Sequence, residues 1–467
     1  MMEALSETKL LGSAPIPKLI MKYTVPSVIS LLVNSLYNIV DQIFIGQGVG
    51  YLGNAATNII FPITVIALAF ALLVGDGAAA YLSLKLGQNQ KRQAQKGVGN
   101  ALTLMILFGI AFLVIGLFFL EPLVRVFGAT ENSMPYALDY GRIIVLGLPF
   151  VVVGTGLNSC IRAEGSPKIA MLSMIAGAVV NTVLDPIFIF VLHWGVEGAA
   201  WATILGQVLT FVISITYLPK MKTIKIKRAD MKLAPKTSKT VMGYGISSFI
   251  TQIAITLSVL VANNMLVQYG MASVYGPDIP LAAFGIVMKV NQILLSFMIG
   301  FGLGAQPIVG FNYGAGHGKR VKQAYLISIT CATLVAIVGF ILFQFFPQAI
   351  INLFGSEEGL YNEFAQKSFR IFLMLCLLNG FQMVTGIFFQ ALGKPVKAAL
   401  ITLSRQLLLL VPAMLVLPHF LGVEGVLWAG PVADAIAFVI ALVLAVREMK
   451  HLRALAPPQP QLCTGQA

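Results

Sequence analysis

Twelve stretches of the chain are almost wholly apolar, and each is cut off from the next by Gly, Pro or charge. They lie at about 18–44, 54–82, 96–120, 137–160, 168–192 and 197–218, then at about 239–268, 281–309, 322–346, 366–391, 397–418 and 424–446. Each is long enough to cross a hydrocarbon layer of about 30 Å as a helix. Helices are required because backbone N–H and C=O groups cannot stay unpaired in lipid. The pattern predicts an all-α polytopic membrane protein of twelve transmembrane helices. The first stretch lacks a small-residue cleavage pattern and is too long for a signal-peptide core, so it reads as a retained span.

Charge fixes a sidedness for these spans. Lys9, Lys18 and Lys22 precede or open the first, and every second connection after it is basic, the richest being Lys220 to Lys239. These segments and the C-terminal tail hold 25 of the 31 basic residues. The alternate loops carry Glu121, Glu131, Glu197, Asp278, Glu357, Glu358 and Glu424. The positive-inside rule then places both termini in the cytoplasm, with the chain in the cytoplasmic (inner) membrane, and requires an even number of spans. The net charge of +13 is thereby explained without nucleic acid. Composition agrees: 58% of the 467 residues are hydrophobic and 10% charged, against about 25% charged in soluble domains. Cys160, Cys331, Cys376 and Cys463 form no CxxC pair, and the four histidines are scattered. No metal cluster or cofactor motif is expected.

The two halves repeat each other. "VFGATE" matches "LFGSEE", "RAEGSPKIA" matches "QALGKPVKAA", and "GVEGAAWA" matches "GVEGVLWA". Gly87 and Gly314, Phe127 and Phe354, and Gly195 and Gly422 are each 227 positions apart. "MKYTVPSVIS" from Met21 likewise matches "MGYGISSFIT" from Met242. The expected organisation is an N-terminal segment 1–17, a six-helix N-lobe 18–218, a basic linker 219–238 near anionic lipid, a six-helix C-lobe 239–446, and a tail 447–467 that is disordered for its Pro-rich, polar composition. Two lobes of one orientation around a cleft form a scaffold for alternating access, and nothing resembles a channel filter.

Ionisable groups inside spans are costly and point to function. Here they are Asp41, Asp76, Asp185, Lys289, Arg405 and Asp434. Asn34, Tyr37, Asn38 and Asp41 are spaced i, i+3, i+4 and i+7 and share a helix face. Asn181 and Asp185 share another, directly before Pro186; Thr203 lies in the sixth span and Asn158 in the fourth. Two carboxylates with amide and hydroxyl oxygens suit a hard cation, and such a pair can equally hold a proton. The plainer alternatives are an interfacial Asp41 and an interhelical hydrogen bond at Asp185. The matching face of the seventh and tenth spans has amides and no carboxylate, so ion coupling is expected in the N-lobe. Met265, Met288, Met298 and Met383, with Lys289 and Gln382, are candidates to line the cleft, because flexible thioethers suit varied apolar ligands. Arg405, early in its span, is placed to snorkel. Pro26 marks a candidate hinge in the first helix.

"SLYNIVDQIFIG", "NTVLDPIFIF", "GVEGAAWAT", "GFGLGAQPIVGFNYGAG" and "LSRQLLLLVP" together resemble the multidrug and toxic compound extrusion (MATE) transporters, in particular a MepA-like bacterial branch. The resemblance covers about residues 15–450. It implies two pseudo-symmetric six-helix lobes and export of small cationic, often aromatic drugs by antiport with Na+ or H+, by a monomer in the bilayer. Asp41, Asn181, Asp185 and Thr203 match the family's N-lobe cation positions, with Tyr37 and Asn158 neighbouring. The rival readings are a lipid-linked oligosaccharide flippase of the same broad fold and a membrane enzyme. No HExxH or GxSxG motif supports the latter.

Overall fold

The computed structural model describes residues 10–353 and 359–453. Phe354, Glu357, Glu358, the first nine residues and the Pro-rich tail with Cys463 lie outside them. The helices are α1 (Ile16–Gly48), α2 (Tyr51–Gly87), α3 (Lys91–Val126), α4 (Met134–Ala163), α5 (Pro167–Pro186) and α6 (Gly195–Tyr217), then α7 (Pro235–Met271), α8 (Asp278–Gly314) and α9 (Gly318–Phe345). They continue with α10 (Leu360–Phe372 plus Cys376–Ala391), α11 (Pro395–Leu421) and α12 (Glu424–Arg453).

Among the described residues, eleven helices are each long and apolar enough to cross a membrane, and the bent α10 makes a twelfth span. The twelve-span reading therefore holds, with one difference. α10 begins earlier than its apolar run and bends by 49°. No Gly or Pro stands at Leu373–Met374–Leu375. The bend arises where Met374 N bonds Ile371 O (3.1 Å) and Cys376 N bonds Leu373 O (3.2 Å), a tightening to three-residue spacing.

α5 runs through Pro186 and widens into a π turn at Ile187–Val191. Proline offers no N–H to the preceding turn, so that turn must re-pair. The equivalent C-lobe helix has its own π segment, Ser404–Leu410, just before Pro412. α1, in contrast, passes unbroken through Pro26.

The lobes meet along α1 against α8 and α2 against α7. Their backbones touch: a Cβ on Gly245 would lie 1.8 Å from Leu73 O, and one on Gly314 would lie 2.3 Å from Leu84 O. Both contacts are toward the end of the bundle that carries the basic loops. Hydrogen bonds between the lobes run from that basic end up to Ser35 and Ser296, whose hydroxyls are 2.8 Å apart. Beyond this pair α1 exposes Leu36 and Asn38.

Two segments close the basic end further. The chain just before α1 docks on the C-lobe: Arg320 donates to Leu11 O (3.0 Å) and Ala14 O (2.8 Å), and Asn312 to Leu11 O (3.1 Å). The linker is a docked strap rather than a wholly solvated segment. Buried Glu164 accepts from Tyr217 Oη (2.8 Å), Lys222 N (3.1 Å) and Thr223 N (3.2 Å). Asn100 holds its far end, accepting from Ala234 N (2.7 Å) and donating to Asp230 O (3.0 Å). Met221, Thr223 and Ile224 face inward, which leaves Lys222, Lys225, Lys227 and Arg228 exposed.

Candidate functional site

The two acids of the N-lobe come together. α1 presents Asp41 and α5 presents Asp185, and their carboxyl groups are neighbours. α5 and α6 cross closely because Gly177 meets Gly206; a Cβ on Gly206 would stand 2.6 Å from Gly177 O. That crossing sets Asn181 Nδ2 at 3.4 Å from Asp185 Oδ1 and also 3.4 Å from Thr203 Oγ1. Asp185 and Asn181 are 0% and 2% exposed, so this is the interior of the lobe and not an interface with lipid headgroups.

Three oxygens here are buried without a hydrogen-bond partner: Asp41 Oδ1, Asn181 Oδ1 and Asp185 Oδ2. Buried polar atoms are paired in the great majority of cases, so three orphans in one place mark a site built for something else. With the Thr203 hydroxyl, these side chains can supply an all-oxygen donor set. Such a set suits a hard cation, and two carboxyls this close can instead share a proton.

Two further residues sit at this pocket and were not among the predicted positions. Tyr140 of α4 lies beside Thr203, and Gln207 of α6 lies beside Tyr37. Gln207 stands one turn after Thr203 on α6, and Tyr140 one turn after Tyr136 on α4. Asn34 and Asn38 pair with each other one turn below, Asn38 Nδ2 reaching Asn34 Oδ1 at 3.0 Å, and Asn38 also meets Tyr37.

Other predicted positions fall elsewhere. Asn158 does not join the acids: it donates to Ala170 O (3.0 Å) and Ser173 Oγ (2.8 Å), tying α4 to the start of α5. Met298 is fully buried in the C-lobe core, and Gln382 is 2% exposed and donates to the Asp434 backbone O at 2.8 Å. Neither lines a cleft. Met265, Met288 and Met383 are partly buried against the C-lobe core, and Lys289 is exposed. Arg405 does not snorkel. Its Nε lies 2.6 Å from Asp434 Oδ1, and both residues are buried. Asp41 and Asp185 form no ion pair among the described residues, unlike Asp434 with Arg405.

Comparison with known proteins agrees with this architecture. A multidrug export protein MepA of Staphylococcus haemolyticus is 26% identical over 438 residues, covering 91% of this chain and 92% of that protein. A FAD transporter of Shewanella oneidensis is 26% identical over 449 residues, covering 95% and 97%. The solved outward-facing conformation of a multidrug resistance MATE family transporter of the MOP superfamily has a TM-score of 0.89 at 25% identity, covering 96% of this chain and 98% of that one. A MOP superfamily transporter from Pyrococcus furiosus has a TM-score of 0.88 at 24% identity, with the same coverage, and shares the fold. The family model described as MatE matches residues 26–187 and 242–415, one stretch in each lobe. With well over half of its length so matched, the chain belongs to the MatE family.

Proposed function

We propose that the protein is a secondary active multidrug efflux transporter that exports small organic cations by antiport with Na+ or H+. The observation that carries this reading is the Asp41–Asp185 pair, where Asp41, Asp185 and neighbouring Asn181 each leave a buried oxygen unpartnered. Asp41, Asn181, Asp185 and Thr203 are the ion's ligands in this reading. Tyr37 and Tyr140 close the pocket. A multi-pass bilayer protein with a cation-binding lobe needs no catalytic group, and the MepA relative's drug export supports the cargo class. The basic end is taken as cytoplasmic by the positive-inside rule. The lobes, joined at that end and parting beyond Ser35 and Ser296, are then in an outward-open state.

Export follows from coupling between the ion pocket and the cleft that holds the drug. Ion binding from outside favours one arrangement of α1 and α5, drug binding from inside favours the other, and only that difference in affinity drives the cycle. The test is efflux of a fluorescent organic cation from proteoliposomes under separately imposed sodium and pH gradients. Efflux against the dye gradient under one of them is the expected result; dye movement indifferent to both would overturn antiport. A second reading, export of FAD, rests on the Shewanella relative, and FAD loaded in parallel vesicles decides it.

The outward-open state also predicts a cross-link. Ser35→Cys with Ser296→Cys should oxidise readily, because the native hydroxyls are 2.8 Å apart and a disulfide needs Cβ atoms roughly 3.5–4.5 Å apart. The bridge should stop transport and its reduction should restore it. Unimpaired flux in the oxidised protein would show that the lobes need not part there.

A further inference from the structure

Asp76 sits in α2 between Gly75 and Gly77, 6% exposed, away from the cation pocket. Its two oxygens go to different lobes. Ser159 of α4 donates to Oδ1 at 2.7 Å, within the N-lobe. Ser248 of α7 donates to Oδ2 at 2.8 Å, across the lobe interface. Gln390 of α10 then donates to Ser248 Oγ (3.0 Å) and to Tyr244 O (3.2 Å), extending the connection into the C-lobe. On the other side Arg162 Nη2 lies 3.1 Å from Ser159 Oγ. The backbones are in contact around this network, since a Cβ on Gly77 would lie 2.1 Å from Val241 O.

We propose that Asp76 is the latch of the gate at the basic end: a positioning residue that holds the lobes closed through Ser248 and must release it for that end to open. A buried carboxylate keeps its charge only while it is hydrogen-bonded. Asp76 makes no ion pair within salt-bridge distance among the described residues, so its charge is supported by these two hydroxyls and, within the N-lobe, by buried Arg162 behind Ser159. With the basic end shut, one of its two donors comes from the far lobe. When the lobes part there, Ser248 and Gln390 leave together and water replaces them. The closed state is thus favoured by one charge-assisted hydrogen bond that the open state lacks. This rests on the transporter reading only for the existence of two lobe arrangements.

The network supplies its own control. Ser248→Ala and Ser159→Ala each remove one hydroxyl from the same carboxylate, the first across the interface and the second within one lobe. Fluorophores on cysteines at Gln93 and Lys319, both exposed at the basic end and in opposite lobes, report the separation, with Cys331 and Cys463 replaced by Ser. Ser248→Ala should raise the ratio of open to closed basic ends about tenfold, and Ser159→Ala should leave it unchanged. A Ser248→Ala distribution like that of the unaltered protein, or an equal shift in Ser159→Ala, would overturn the latch. The distance measurement needs no substrate or gradient. A parallel flux assay in which the unaltered protein exports no cation would therefore count against the antiport reading and not against the latch.

Discussion

Replacing Asp185 by Asn should abolish export against a concentration gradient while leaving the protein folded. The amide keeps the shape of the side chain and can still contact Asn181, 3.4 Å away in the native pocket. What it loses is a negative charge at the one place where Asp41, Asn181 and Asp185 each leave a buried oxygen unpartnered. Every tenfold of uphill accumulation needs about 1.4 kcal/mol, and only an ion that binds one state better than the other can deliver it. With one carboxylate gone, the site no longer holds a proton or sodium between two acids. The dye ratio across a vesicle membrane under an imposed gradient should fall to unity. Asp41→Asn should do the same, because both acids face one site. Thr203→Ala should weaken ion dependence without abolishing export, since it removes one neutral oxygen. A vesicle assay with all three variants decides between a shared pocket and two independent acids. Full export by Asp185→Asn, with loss only in Asp41→Asn, would mean that α5 merely packs there.

Much of this pocket was legible in the sequence because cost made it so. A carboxylate in an apolar span is rare, and the i, i+3, i+4, i+7 spacing from Asn34 to Asp41 assigned one face to α1. The same spacing rule paired Asn181 with Asp185. Gln207 was within reach of the same rule, one turn after Thr203 on α6, whereas only the tertiary arrangement brings Tyr140 to Thr203. Met298 and Gln382 were misplaced for a related reason. In lipid both the outer and inner faces of a helix are apolar, so hydrophobic pattern does not say which way a side chain points. Asn158 was drawn away by Ser173, a partner in another span with no fixed spacing from it. The span count was secure because charge alternation checks it independently of length. The bend of α10 had no precursor at all, since Leu373, Met374 and Leu375 are ordinary helix formers.

Removing Arg405 alone should cost far more stability than removing it together with Asp434. Arg405 Nε is 2.6 Å from Asp434 Oδ1, the carboxylate is 2% exposed, and Gln382 ties the Asp434 backbone O to α10. Arg405→Met strands a buried charge, and breaking such a pair from one side costs about 3–5 kcal/mol. Arg405→Met with Asp434→Leu removes both charges and fills the volume, which is often close to neutral. Melting of the detergent-solubilised protein should therefore drop steeply for the single variant and recover in the double. Equal losses in both would show that the guanidinium matters for its contacts and not for its charge. The same pair bears on why, in the proposed antiport, the coupling ion would sit in one half of a duplicated protein. The 227-residue offset sets Asp434 where the N-lobe has Gln207, next to Tyr37 of the cation pocket. In the C-lobe the acid already has a cation, tethered and permanent. Asp41 and Asp185 have no such partner among the described residues, so in the proposed antiport their cation would come from solution and could leave again.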